Sequence, residues 1–407
     1  MRKFEIPEYY RSPVIAEIKR RRKDADPRKV DYTPTLLDFG SVAFRIARHF
    51  GFCFGVENAI ETAYRIIDEN PDKRIFLISE MIHNPGVNND LKERGVRFIK
   101  ETDGTQIIPW EELNANDVVI VPAFGTTLET EAKLKEIGLD TERYDTTCPF
   151  VERVWNRAAT LGDGDYTVII HGKAGHEETR ATFSHSAVNG KSLIVRNIDE
   201  TKFLADAILG KIPEEEFYRF FAGRMSESFD FKKDLEKVGV VNQTTMLASE
   251  TEAIAEYLKA VMIEKYGEKN LNGHFADARD TLCYATNDNQ KATLGLLNAD
   301  SDFAIVVGGY NSSNTTHIVE LLEEKFPVYF IASEKEIISE KEIEHFDIHS
   351  KKILRTKNYL PDKKQINIAL TSGASCPDSV VDRVMLKLLS FFEADKTPEE
   401  ALNEALK

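Results

Sequence analysis

The feature that most constrains the fold of this 407-residue chain is a series of short, almost uninterrupted apolar runs: IFLIS at 75, VVIVPAFG at 118, YTVIIHG at 166, VGVVNQTT at 238, DFAIVVGG at 302, VYFIA at 328 and INIALTSG at 366. Strands buried on both faces, as in parallel sheets, have this pattern. Between the runs lie segments with helical periodicity, such as FVERVWNRAATL, TEAIAEYLKAVMIEKYG and NTTHIVELLEEKF. The alternation predicts an α/β protein with repeated βαβ units and small, mostly parallel sheets.

Each of the four cysteines precedes a predicted helix. Cys53, Cys148, Cys283 and Cys376 are separated by 95, 135 and 93 residues. This regularity predicts three related α/β domains, at 46–146, 147–281 and 282–392. They lie between an N-terminal extension (1–45) and a C-terminal tail (393–407), with an insertion near 200–237 in the second domain.

The wide cysteine spacing does not suit a disulfide framework, and zinc sites usually take cysteines in close pairs. Thiolates at helix N-termini are favoured by the positive end of the helix dipole, and soft thiolates from three domains suit an iron-sulfur cluster. Such clusters normally take four thiolates, so spacing alone makes Cys376 a credible fourth ligand. The alternative is a buried cysteine with no role in binding.

The charge of the chain limits its partners. Its 53 Lys plus Arg and 68 Asp plus Glu give a net charge of -15, which predicts no nucleic-acid partner and no association with anionic membranes. We interpret the basic run IKRRRK at 18–23 as a solvated helix face. No apolar stretch approaches the roughly 20 residues of a membrane span, and the acidic N-terminus resembles neither a secretory signal nor a transit peptide. We expect a cytoplasmic protein.

Seven motifs in order make the chain recognisable: GFCFGV, DTTCPFV, HGKAGHEET, NQTTM, CYATNDNQ, YNSSNT and TSGASCPD. Together they resemble the 4-hydroxy-3-methylbut-2-enyl diphosphate reductase (LytB/IspH) family, and its longer plant and cyanobacterial branch, from about residue 46 to 392. The resemblance implies three domains in a pseudo-threefold trefoil around a central 4Fe-4S cluster. It implies Cys53, Cys148 and Cys283 as ligands, with one iron left open, and makes Cys376 a bystander.

The resemblance also implies a reaction, the last step of the methylerythritol phosphate route to isoprenoids. An allylic hydroxyl binds the open iron, electrons arrive from a ferredoxin or flavodoxin, and water leaves to give isopentenyl and dimethylallyl diphosphates. Glu178 matches the residue that supplies the proton, and Thr244 the hydroxyl that relays or orients it. The residues that match the family's contacts to the substrate are His83, His176, Thr244, Ser312, Ser313, Asn314 and Ser375.

One position departs from a common family pattern. Phe124, in PAFGTT, stands where many members carry a histidine that binds the diphosphate, and a phenyl ring cannot donate a hydrogen bond. We expect that Thr126, Thr127 or His171 compensates.

Two other functions would use the same three thiolates. The first is an iron-sulfur sensor or electron carrier, which needs neither Glu178 nor the convergent hydroxyl and imidazole groups. The second is a cluster-bearing hydro-lyase, in which the open iron is a Lewis acid and no reductant is consumed.

Overall fold

The computed structural model describes residues 10, 12–276 and 281–406. These residues form thirteen α-helices and fourteen β-strands. The helices are α1 (Pro13–Ala25), α2 (Phe54–Glu69), α3 (Pro85–Glu93), α4 (Leu128–Ile137), α5 (Pro149–Asp163), α6 (Glu177–Asn189), α7 (Ile198–Ile208), α8 (Glu214–Phe220), α9 (Ala248–Tyr266), α10 (Tyr284–Leu297), α11 (Ser313–Glu323), α12 (Asp378–Leu389) and α13 (Pro398–Ala405).

The strands are β1 (Thr35–Asp38), β2 (Val42–Ile46), β3 (Ile75–Leu77), β4 (Arg97–Phe98), β5 (Val118–Ile120), β6 (Thr167–His171), β7 (Ser192–Val195), β8 (Val238–Asn242), β9 (Phe275–Ala276), β10 (Phe303–Val307), β11 (Val328–Ile331), β12 (Glu342–Asp347), β13 (Lys352–Lys357) and β14 (Ile366–Ser372). Every predicted apolar run contains a strand, and a helix begins directly after Cys53, Cys148 and Cys283 and two residues after Cys376.

The chain divides into two compact units. The first contains the described residues of Met1–Glu61 together with Ile82–Asn89 and Tyr284–Lys407; the second contains Thr62–Met81 and Asp90–Cys283.

The first unit is built on a five-stranded sheet of order β1-β2-β14-β10-β11. Only β1 and β2 pair antiparallel in this sheet; the other neighbours are parallel. The first unit also contains a separate antiparallel hairpin, β12-β13. β10 is apolar and buried along its whole length, and β14 is buried at six of its seven positions, as expected for strands covered on both faces.

The second unit contains two sheets, of order β4-β3-β5 and β7-β6-β8-β9, in which every pair of neighbours is parallel. The segment predicted as an insertion supplies α8 and several aromatic side chains. Phe217, Phe221 and Phe229 are buried among β7, β8 and α9. The segment is therefore part of the core of this unit.

The segment predicted as an N-terminal extension belongs to the core of the first unit. Ile15 and Ile18 of α1 are buried with residues of β2, β14 and α12. Ser12 caps α1, since its Oγ accepts a hydrogen bond from the Ile15 N–H at 2.9 Å, and its hydroxyl donates to the Asp382 carboxylate on α12. Removing these residues would expose apolar surface. The division into three domains stays a prediction.

The fold class is confirmed: the protein is α/β, with small and mostly parallel sheets. Within the described residues, no helix has the length and apolarity that crossing a membrane requires.

Candidate functional site

In the second unit, Cys148 and Cys283 lie close enough to interact electrostatically. Cys148 is the N-cap residue of α5, and its N–H donates to the Ala123 carbonyl at 3.0 Å. Burial raises the pKa of the Cys148 thiol to about 11, and the negative charges of Cys283 and Glu178 add to the rise. These two cysteines and Glu178 therefore share one environment, in which a bare thiolate is unfavourable and a metal cation would stabilise it.

The segment before Cys283 is fixed to the end of β8. The Thr281 hydroxyl donates to Asn242 Oδ1 at 2.6 Å, and both residues are fully or almost fully buried. Since Asn242 begins the NQTT motif, this bond connects the Cys283 segment to the loop that carries Thr244.

Glu178 and Thr244 form the pair that the sequence predicts. The Thr244 hydroxyl donates to Glu178 Oε2 at 2.9 Å, and the Thr244 N–H donates to Oε1 at 2.5 Å. Glu178 is 1% exposed, so both bonds are shielded from water. Two donors on the two carboxylate oxygens fix the plane of the carboxyl group, as a proton donor requires.

Gln243 positions this pair, a role that the sequence analysis missed. Its Oε1 accepts hydrogen bonds from the Lys173 N–H at 3.1 Å and the Thr179 hydroxyl at 3.0 Å, and its Nε2 donates to Thr245 Oγ1 at 2.6 Å. The side chain thus joins the NQTT loop to the HGKAGHEET segment. The sequence signal for this role of Gln243 is its position next to Thr244 in the NQTT motif.

His176 caps α6, since its Nδ1 accepts from the Glu178 N–H at 3.2 Å. The ring of Phe124 lies edge-on to the imidazole, with 5.6 Å between the ring centroids. The phenyl group at the position where a histidine was expected therefore packs against another predicted contact residue.

The three residues suggested as replacements for that histidine have structural contacts. Thr127 caps α4, and the Thr126 carbonyl lies 3.1 Å from His185 Nε2. His171 is completely buried, with its Nδ1 2.8 Å from Thr251 Oγ1. Their proposed compensating role stays a prediction.

In the first unit, the loop that carries Cys53 lies beside the loop after β14. The Cys53 N–H donates to the Ala374 carbonyl at 3.2 Å. Cys376 is completely buried in the apolar core, with its Sγ 3.6 Å from the Pro377 carbonyl oxygen. Burial raises the pKa of the Cys376 thiol to about 12. A protonated thiol enclosed by apolar side chains supports the prediction that Cys376 is a bystander.

The N-terminus of α11 contains buried polar groups. Ser312 caps the helix, accepting from the Thr315 N–H at 3.3 Å. Neither the Ser313 hydroxyl nor the side-chain oxygen and nitrogen of Asn314 has a hydrogen-bond partner among the residues that the structure describes, although both residues are 3% exposed. Buried donors at a helix N-terminus are suited to an anion such as a phosphate group.

His83 and Ser375 lie next to each other, since the Ser375 hydroxyl donates to the His83 carbonyl at 3.1 Å. Two glycines permit this packing. A Cβ on Gly309 would lie 2.3 Å from the His83 carbonyl oxygen, and a Cβ on Gly373 would lie 2.0 Å from Thr315 Oγ1. The loops after β10 and β14 can therefore approach the start of α11 and the His83 segment closely.

The thiols present fit an iron-sulfur cluster by their chemistry. All four cysteines are free, and Cys53, Cys148 and Cys283 each lie directly before the first residue of a helix. In the described part of the chain, no three His, Cys, Asp or Glu side chains converge on the position of a single metal ion.

Comparisons with known proteins agree with the motifs. The family model described as LytB protein matches residues 44–389. A protein of Trichormus variabilis named 4-hydroxy-3-methylbut-2-enyl diphosphate reductase is 42% identical over 387 residues, which cover 95% of this chain and 91% of the relative. A Gloeobacter violaceus protein of the same name is 40% identical over 352 residues, 86% of this chain and 83% of the relative.

A solved structure has a similar fold. It is titled as the E-1-hydroxy-2-methyl-but-2-enyl-4-diphosphate reductase from Plasmodium falciparum, with a TM-score of 0.61 and 21% identity over 90% of this chain and 98% of that one. The family match spans most of the chain and includes all the predicted site residues, and we conclude that the chain belongs to the LytB protein family.

Proposed function

We propose that this protein reduces 4-hydroxy-3-methylbut-2-enyl diphosphate to isopentenyl and dimethylallyl diphosphates. The substrate takes up two electrons and two protons, its allylic C–O bond breaks, and water leaves. The observation that carries the proposal is the buried Glu178–Thr244 pair, which shares its environment with Cys148 and Cys283. A carboxyl group positioned in this way has no evident purpose in a simple electron carrier.

Cys53, Cys148 and Cys283 would hold a 4Fe-4S cluster. When bound, the cluster supplies electrons and an iron without a cysteine ligand. Because burial keeps the Cys148 thiol protonated at neutral pH, loading of the cluster would release its proton.

Glu178 would deliver a proton to the leaving oxygen. The two hydrogen bonds from Thr244 orient its carboxyl group, and the Thr244 hydroxyl can both donate and accept, so it can relay the proton. Near-complete burial keeps bulk water away from this proton.

The start of α11 would bind the diphosphate. Ser313 and Asn314 offer buried donors that have no hydrogen-bond partner among the described residues, so a phosphate oxygen could accept from them without breaking an existing bond there. The N–H groups of the first turn add to the attraction. We assign His83 and Ser375, and His176 in the second unit, to the same ligand by their match to the family motifs.

The test is an anaerobic assay of cluster-reconstituted protein with 4-hydroxy-3-methylbut-2-enyl diphosphate and reduced methyl viologen, following both products. We expect turnover that consumes reductant, and a loss of about 10²-fold or more in Glu178→Gln with the cluster retained. Turnover without net consumption of reductant would indicate a hydro-lyase. No turnover by wild-type protein with a verified cluster would refute the proposed function.

A further inference from the structure

A basic cavity of about 360 Å³ lies in the first unit beside the Cys53 loop. We define the basic cavity by six of its lining residues: Lys19, Lys23, Lys29, Arg48, Cys53 and Tyr284. The whole lining contains these four cationic residues and two acidic ones, Glu57 and Asp288, although the whole chain has a net charge of -15. The positive charge is therefore concentrated beside a proposed cluster ligand.

The basic run of the sequence divides into two groups on α1. Arg20 and Arg21 both pair with Glu17, at 2.7 Å, and these arginines hold the pKa of Glu17 at about 2. Lys19 and Lys23, four residues apart and so on one face of the helix, line the cavity instead. The run is therefore a solvated helix face only in part, at Arg20 and Arg21; Arg22 is largely buried and pairs with Asp31 at 3.0 Å.

Acidic groups offset part of this charge. Lys19 pairs with Asp378 at 2.6 Å, and Lys29 pairs with Asp288 at 3.2 Å. Glu57 and Asp288 also line the cavity. Lys23 is exposed and has no ion pair with any residue in the described ranges, so it retains its full attraction for an anionic partner.

The lining also contains two buried donors. Arg48 is 6% exposed and Asn289 is 5% exposed, yet Arg48 Nε and Asn289 Nδ2 have no hydrogen-bond partner among the residues described. The Arg48 guanidinium also donates to the Arg22 carbonyl at 3.0 Å, near the end of α1. Arg48 thus connects α1 to the cavity.

Exposed aromatic rings border the same surface. Phe54 and Tyr284 are 46% and 41% exposed, and each directly follows a proposed cluster ligand in the sequence. Exposed aromatic side chains next to charged groups are enriched at protein interfaces, and a surface of this small size suits a weak, transient one. Its position beside Cys53 would bring a docked protein close to the cluster.

We propose that the basic cavity and its exposed aromatic rim form the docking surface for an acidic one-electron carrier protein that reduces the cluster. This proposal rests on the proposed function, which requires two electrons per turnover. Two reduced carriers would each give up one electron and leave oxidised, and the electrons with two protons would convert the allylic alcohol to the alkene and water. Charge complementarity identifies the partner. Carboxylates around the redox centre of the carrier would face the lysines of the basic cavity, whereas the net negative charge of this protein repels acidic proteins elsewhere on its surface.

The experiment measures binding directly. Affinity for an oxidised, acidic plant-type 2Fe-2S ferredoxin is determined by calorimetry at low salt for wild type, Lys23→Glu and Lys23→Glu/Lys29→Glu. We expect the double variant to bind about tenfold more weakly. Raising the salt to about 0.5 M should weaken wild-type binding and reduce the difference between the proteins.

Lys364→Glu is the control for Lys23→Glu, since both substitutions change the net charge by the same amount. Lys364 is exposed and precedes the start of β14, whereas the Cys53 N–H bonds to Ala374 beyond the other end of that strand. The same charge change far from the cavity should leave the affinity unchanged. Equal weakening by Lys364→Glu would refute the proposal, because it would show a nonspecific effect of net charge.

Turnover with reduced methyl viologen separates docking from chemistry. The variants should retain viologen-driven turnover and lose ferredoxin-driven turnover. An unchanged ferredoxin affinity in the double variant would overturn the docking proposal, as would an equal loss of viologen-driven activity with the cluster intact.

Inorganic diphosphate tests the alternative of a small-anion site. If diphosphate bound in the cavity while the variants had the same ferredoxin affinity as wild type, the cavity would be a small-anion site and the docking proposal would be wrong. Failure of wild type to turn over with viologen would refute the proposed function, while the binding measurement would still decide the docking surface.

Discussion

Thr244 donates hydrogen bonds to both carboxylate oxygens of Glu178, one from its hydroxyl and one from its N–H. The N–H bond is independent of the side chain, whereas the hydroxyl bond is not. Substitutions at residue 244 can therefore remove the possible relay while one bond still holds the carboxyl group.

We predict that Thr244→Val lowers kcat by about 10- to 100-fold, because one carboxylate oxygen loses its buried donor and the relay is lost. Thr244→Ser, which keeps the hydroxyl, should retain most of the activity. The measurement is the rate of viologen-driven turnover of each variant, with the cluster absorbance recorded to show that the cluster is retained. Equal losses in the two variants would contradict a role for the hydroxyl.

The cysteine series tests the ligand assignment. Cys53→Ala, Cys148→Ala and Cys283→Ala should each fail to hold a complete cluster. Cys376→Ala should keep wild-type iron and sulfide content and most of the activity, at a cost of about 1 kcal/mol in stability for the small cavity left in the core. Iron and sulfide analysis after anaerobic reconstitution provides the measurement. A loss of iron in Cys376→Ala would show that this thiol is a ligand after all.

Asn314 should matter for substrate binding and not for folding. Its amide is buried without a partner among the described residues, so Asn314→Ala removes an uncompensated polar group and should leave the free energy of unfolding within about 1 kcal/mol of wild type. KM for the diphosphate substrate should rise by about tenfold or more.

Steady-state kinetics and urea unfolding together test this expectation. Thr316→Ala is a control in the same helix, since the Thr316 hydroxyl donates to the Ser312 carbonyl at 3.0 Å. That variant should lose stability, whereas Asn314→Ala should lose affinity. An unchanged KM in Asn314→Ala would exclude Asn314 from the diphosphate site.

His49 should make the protein less stable in acid. Its ring lies edge-on to Tyr32, and burial, with the nearby Arg48 charge, lowers its pKa from 6.5 to about 4. Between these two values the unfolded chain binds a proton that the folded protein does not, so stability falls as the pH falls. The difference between pH 7 and 4.5 corresponds to about 2 kcal/mol.

Urea unfolding of iron-free wild type and His49→Phe at the two pH values measures this contribution. His49→Phe should lose less stability on acidification than wild type. His349→Gln is a control of opposite sign: the hydrogen bond with Glu323 raises the pKa of the exposed His349, so this variant should lose slightly more stability on acidification than wild type. Identical pH dependence in wild type and His49→Phe would contradict the assignment.

The sequence predicts the buried parallel strands and the helices after the cysteines because both depend on local patterns of apolar residues. The hairpin β12-β13 was missed, since its strands are mostly exposed and charged. β1 and β2 were assigned to an extension, because nothing local shows that β2 pairs with β14.

At the site, the motif series identifies Glu178 and Thr244, and the structure brings them together. Gln243 stands next to Thr244 in the motif, but its bonds to Lys173 and Thr179 could not be predicted, because they join segments that are distant in sequence. The different contacts within the basic run could not be predicted either. Composition counts charges, but only the packing of α1 shows that Lys19 and Lys23 line the cavity while Arg20 and Arg21 pair with Glu17.

The pairing of β2 with β14 has a consequence for biosynthesis. The Cys53 N–H bonds to Ala374, a residue far from it in sequence, in the loop after β14. Until β14 has been synthesised, β2 lacks this neighbour and the Cys53 loop lacks this support. The Cys53 loop therefore reaches its folded form only after two distant segments of the chain have joined in one sheet.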